Sequence, residues 1–137
     1  MNNENIVLVR SCWQQVLPIK ETAAELFYGQ LFELDPALRT MFKGDMIEQG
    51  RKLMTMINTV VKSLDNLAPV LEIIENMGRR HVEYGVTAAH YDTVGNALIW
   101  TLGQGLGAQF TPAVKGAWVE AYTTLATAMK QAAYGKA

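Results

Sequence analysis

Apolar residues return every three or four positions along most of this 137-residue chain, and prolines break the pattern at intervals. That is the period at which side chains share one face of an α-helix. Few β-branched clusters of strand length interrupt it, so an all-α fold is expected. Leu8, Cys12 and Val16 lie one turn apart, as do Val9 and Trp13, which predicts a first helix from about Asn3 to Leu17, ended by Pro18. A second helix begins beyond that proline. There Leu26, Phe27, Leu31 and Phe32 can share a broad apolar face, with Tyr28 and Gln30 projecting elsewhere. Asp35-Pro36 pairs an N-cap acceptor with a proline at the first helical position and predicts a short helix to about Met41. A longer helix is expected from Met46 to Leu64, with Gln49, Leu53, Met56 or Ile57, and Val60 on one side. Pro69 opens the next, to His81 or Glu83, and Gly85 closes it. A sixth runs from about Ala89 to Leu106, with Gly107 at its end. Thr111-Pro112 opens the last, to about Ala133, making seven helices with short connections.

The length suits one domain with one substantial core, and a hydrophobic share of 50% argues against disorder. The 12 Lys and Arg residues are scattered, and the net charge is -1. Backbone neutralisation needs a positive stripe or patch, so nucleic-acid binding is not expected. Cys12 is the single cysteine, which rules out an internal disulfide and a cysteine-based zinc site; it is expected in the core. The first residues lack the basic segment, apolar run and small-residue cleavage site of a secretory leader, so none is expected, and no apolar run approaches the ~18 residues of a membrane span. A cytoplasmic location is expected.

His81 and His90 are the only histidines, too few for a multi-histidine zinc set, and no hydrolase nucleophile motif accompanies them. His81 alone, on a largely apolar helix, reads as a hydrogen-bonded structural residue, and so does His90, which is expected to precede the sixth helix. A large planar apolar cofactor would need two facing helices. One supplies a neutral imidazole, and the other supplies apolar cover plus one or two hydrogen-bond donors. Both halves are present: Tyr28, Phe42, Gln49 and Leu53 on one side, and on the other Met77, His81 and Gly85 spaced by four, with Tyr84 and Val86 nearby.

The stretch Leu26-Phe27-Tyr28-Gly29-Gln30-Leu31-Phe32 is followed in order by Asp35-Pro36, Met41-Phe42, Gln49 to Leu53, Arg79-Arg80-His81, His90-Tyr91 and Ala117-Trp118-Val119-Glu120-Ala121-Tyr122. In this order and spacing the chain resembles the bacterial single-domain globins and is similar to the globin half of flavohaemoglobins. The resemblance implies a globin fold of seven to eight helices, residues 1–137 as one domain, and haem b (iron protoporphyrin IX) as cofactor. It also implies His81 as the proximal iron ligand, Phe42 packed on the porphyrin, Tyr28 and Gln49 as the distal polar pair, and Leu53 as the distal wall. Met77, Arg80, Tyr84 and Val86 complete the expected haem contacts, and Lys52 is expected to be solvated, with a haem propionate and, as a more remote alternative, the iron itself as partners it could reach. Met54 and Met56 are remote alternatives as iron ligands. Trp118 and Tyr122 are expected to be scaffold.

In flavohaemoglobins a tyrosine and a glutamate stand behind the proximal histidine and increase its electron donation. Tyr91 matches the tyrosine, but the glutamate's place falls at about Ala133, and Glu120 lies too early. His81 is therefore expected to bond to a backbone carbonyl or to Tyr91.

The implied ligands are O₂, CO and NO. Dioxygen on ferrous iron draws negative charge, so a phenol O–H and an amide N–H aimed at it favour O₂ over CO, and tight, reversible oxygen binding is expected. Nitric oxide dioxygenation is the alternative. No flavin or nicotinamide domain follows in this sequence, so turnover would need a separate reductase. A gas-sensing role, which would need a partner, ranks last.

Overall fold

Side-chain caps and prolines divide the chain where the apolar period breaks. In the computed structural model, which describes residues 1–134, they delimit six α-helices and four short 3₁₀ segments, with no strand among the described residues. Helix α1 (Asn3–Val16) starts at Asn2, whose side chain accepts the Asn5 N–H at 2.8 Å. A single 3₁₀ turn containing Pro18 leads into α2 (Lys20–Leu34). Asp45 caps α3 (Met46–Lys62) through the Ile47 N–H at 2.9 Å. A 3₁₀ turn containing Pro69 precedes α4 (Leu71–Glu83). The long α5 (Ala88–Leu106) ends at Gly107, at φ 56°, and α6 (Pro112–Tyr134) follows.

Three expectations need correction. The segment expected as a short α-helix after Asp35 is a six-residue 3₁₀ helix, Pro36–Met41. So short a segment gains too few α-helical bonds to offset nucleation, and tighter i→i+3 bonds serve it instead. Asp35 does not cap it with its side chain; the carboxylate lies 3.9 Å from Nε2 of His90. His90 lies inside α5 at its third residue. The Thr87 N–H donates to its Nδ1 at 2.9 Å, so His90 fills the reciprocal role that Glu or Gln has in a capping box.

The core is built from Val9, Trp13 and Val16 of α1, Phe27 and Leu31 of α2, Ala97 and Leu102 of α5, and Ala117 and Trp118 of α6. Cys12 is buried among them, as expected. Two glycines set how closely helices cross. A Cβ on Gly50 of α3 would stand 2.9 Å from the Ala24 Cβ of α2, and one on Gly78 of α4 would run into the backbone of Met129 in α6. α1 is tied to α3 by the Trp13 indole N–H, which donates to Asn58 at 2.9 Å. Arg10 adds bonds to the carbonyls of Val61 and Lys62 at the end of α3.

Helix α3 rests on α2 and α1, whereas α4 rests on α6, and the two make little contact with each other. This divergence positions the site. No described helix is long and apolar enough to cross a membrane.

Candidate functional site

Helix α4 buries Ile74 and Gly78 against its neighbours and leaves Met77 and His81, one turn apart, half-buried. Nδ1 of His81 lies 2.7 Å from the Met77 carbonyl. A carbonyl can only accept, so Nδ1 carries the proton and Nε2 keeps its lone pair. Burial pushes the His81 pKa down and the neighbouring Arg80 adds to this, while the Met77 bond opposes both. The ring is therefore neutral at pH 7, the form that ligates a metal.

Two tyrosines stand beside this imidazole. Tyr84 has its ring centroid 5.9 Å away but is 60% exposed. Tyr91, from the first turn of α5, is 6.5 Å away, tilted by 30° and only 6% exposed. Burial is the main cause pushing its hydroxyl up to about 12, with Tyr134 adding to it, and that hydroxyl has no hydrogen-bond partner among the described residues. The Tyr91 carbonyl accepts the Tyr122 hydroxyl at 2.6 Å. After α4 the Val86 N–H returns to the His81 carbonyl at 2.9 Å, and the Tyr134 hydroxyl donates to the Val86 carbonyl. The end of α6 thus fixes the turn that follows His81.

Tyr28 does not project away from the core, as the periodicity suggested; it is 8% exposed. The reason is that α2 packs against both α3 and α5 and so buries a wide face, which includes Ala24, Phe27, Tyr28 and Leu31. The Tyr28 ring meets Phe27 edge-on at 5.0 Å and Phe42 edge-on at 5.3 Å, and stacks with Phe32 at 6.1 Å. Burial raises the pKa of its hydroxyl, and the nearby Gln49 side chain works the other way. The hydroxyl therefore stays protonated at neutral pH. Of the expected site residues, Tyr28 and Gln49 lie near each other.

Leu53 follows Gln49 by one turn, and both are half-buried, as is Phe42. Lys52 and Arg80 are exposed. Large apolar side chains that remain only partly covered include Phe42, Leu53, Met56 and Ile57 on the α3 side and Met77 and Val86 on the α4 side. A flat apolar group that accepts one neutral imidazole would cover these surfaces and use the free Nε2 lone pair. The donor chemistry and the incomplete apolar cover both fit a haem.

The model of the globin family matches residues 25–129, a stretch that contains Tyr28, Gln49, His81 and Tyr91. The chain belongs to the globin family. Among its relatives, this globin is 31% identical over 136 residues to the neuroglobin of Danio rerio, covering 89% of this chain and 86% of that protein. It is 29% identical over 138 residues to the neuroglobins of Chaenocephalus aceratus and Dissostichus mawsoni, covering 90% of this chain and 87% of each relative. Membership implies a haem cofactor and a small gas as its ligand. These vertebrate relatives do not bear out the expected bacterial, flavohaemoglobin-like origin, and the likeness stands at the level of the globin family.

Several contacts around the site escaped the sequence reading. Gly78 gave a signal that went unused, a glycine in the middle of an amphipathic helix, which often marks a close crossing. The bonds from Tyr122 to Tyr91 and from Tyr134 to Val86 join residues 31 and 48 positions apart, and no local pattern announces them.

Proposed function

We propose that this globin holds haem b through Nε2 of His81 and binds O₂ reversibly, with Tyr28 and Gln49 as hydrogen-bond donors to the gas. The haem supplies the iron at which a diatomic ligand binds. His81 is kept neutral by burial, and Met77 fixes its tautomer and orientation. Phe42, Leu53, Met77 and Val86 supply apolar cover that excludes water. Lys52 and Arg80 are partners for the propionates at the solvent edge, and Tyr84 flanks the imidazole there. Tyr91 stands behind His81, and residues 1–137 act as one domain.

The observation that carries this reading is the burial of the Tyr28 hydroxyl with the Gln49 side chain beside it. A phenol kept protonated in an aromatic box is a preorganised donor, and a bond to a ligand that draws negative charge contributes about 1.5–3 kcal/mol, or roughly tenfold or more in affinity. CO draws little charge and gains less.

The test is ligand dissociation from the reduced protein carrying Tyr28→Phe or Gln49→Leu. O₂ dissociation should accelerate about tenfold or more in Tyr28→Phe, with CO dissociation changed far less. Equal effects on the two gases would overturn the role of the donors. Sustained, cyanide-sensitive NO consumption with NADH and a flavin reductase would replace reversible binding by the dioxygenase role; a single stoichiometric burst supports binding.

A further inference from the structure

Behind His81 the structure places a cation. The ring of Tyr91 neighbours the His81 ring at 6.5 Å and also carries Nζ of Lys130 at 5.8 Å from its centroid. The ammonium thus lies within about 12 Å of the imidazole, and the buried Tyr91 ring neighbours both. Lys130 is half-buried and borders a cleft of about 380 Å³ between α5 and α6, lined also by Asp92, Asn96, Tyr122 and Thr127. Among the described residues no carboxylate comes within ion-pairing distance of it, although Asp92 borders the same cleft. The Tyr91 hydroxyl is buried without a hydrogen-bond partner among the described residues, and the Asp92 carboxylate makes no ion pair with the ammonium.

We infer that Lys130 is a positioning residue for the oxidation state of the iron: its charge, held on Tyr91 behind the imidazole, biases the haem toward the ferrous form. Oxidation adds a positive charge to the metal centre, and a fixed cation nearby makes that step less favourable. Partial burial limits screening by salt. The consequence is a globin kept in the state that binds O₂. The inference rests on His81 being the iron ligand.

The experiment is the ferric/ferrous midpoint potential of the haem-loaded protein in four forms: native, Lys130→Arg, Lys130→Met and Lys130→Glu. Lys130→Arg should match the native protein. Lys130→Met should shift the equilibrium toward ferric about threefold and Lys130→Glu about tenfold, the latter ~59 mV for a one-electron couple. Raising the ionic strength should shrink the differences. A structural role alone would not order the variants by charge. Equal potentials in the Met and Glu variants overturn the inference. Spectra of His81→Gly separate the two claims. If the iron loses its axial imidazole in that variant and regains it with added imidazole while the Lys130 series stays flat, only the inference fails. If ligation in His81→Gly is unchanged, the ligand assignment fails and the inference with it.

Discussion

Nδ1 of His81 donates to the carbonyl of Met77 one turn earlier on the same helix, at 2.7 Å. The imidazole is therefore oriented by α4 itself, and the placement of α4 decides where Nε2 points. That placement depends on Gly78, whose missing side chain lets α4 lie directly on the backbone of α6 at Met129.

Gly78→Ala should force the two helices apart. The obstacle is backbone, which cannot swing aside as the end of a long side chain would, so the substitution should cost about 1–3 kcal/mol. Denaturant unfolding measures this, and a shifted Soret band in the haem-loaded variant would report the moved imidazole. A loss under 0.5 kcal/mol, the range of ordinary surface changes, would show that the crossing is not tight.

Tyr28 and Gln49 are expected to act as a coupled pair, because the Gln49 side chain lies near enough to the Tyr28 hydroxyl to oppose the effect of burial on it. In O₂ dissociation, the double variant Tyr28→Phe/Gln49→Leu should fall short of the combined single effects by about 0.5–3 kcal/mol. Simple additivity would mean that the two side chains act separately.

Tyr122 supports the site from outside. Its hydroxyl donates to the Tyr91 carbonyl at 2.6 Å, and its ring sits so close to Gly95 that a Cβ there would come within 2.7 Å of it. Tyr122→Phe keeps the ring and removes the bond, leaving a carbonyl without its partner. A loss of about 1–3 kcal/mol is expected in chemical denaturation. Gly95→Ala should also destabilise, through overpacking, and an unchanged midpoint in both variants would contradict the assignment.

Arg10 spans α1 and the end of α3 and reaches the Asp65 carboxylate at 2.8 Å. The guanidinium bond is the largest cause holding the Asp65 pKa below its usual 3.8. A depressed folded-state pKa gives stability that is present above the unfolded value and lost as pH falls through the folded one. The benefit of the pair should therefore be complete at pH 7 and fade below about pH 3.8, in the acid unfolding profile of native protein against Asp65→Asn. Both partners are exposed, so the difference at pH 7 should be small and should shrink further in salt.

How much was legible in the sequence depended on the range of the forces involved. The helices from Asn3, Met46 and Pro112 could be read because their starts are local, fixed by a cap or a proline. The segment after Pro36 was located correctly, but its 3₁₀ form depends on how few residues it contains. The buried state of Tyr28 was missed because periodicity assumes one apolar stripe, whereas α2 packs on two neighbours. Met77 and His81 could be paired by their four-residue spacing. Lys130 could not be linked to Tyr91, since 39 residues separate them and only the packing of α5 on α6 brings them together.

The central claim is that His81 is the axial ligand of a haem in this globin. Resonance Raman of the reduced, ligand-free protein tests it most directly, by the iron–imidazole stretching band in native protein, His81→Gly, and His81→Gly with added imidazole. The account predicts a band in the native protein, its loss in the variant and its return with imidazole. A band that persists unchanged in His81→Gly without imidazole would contradict it.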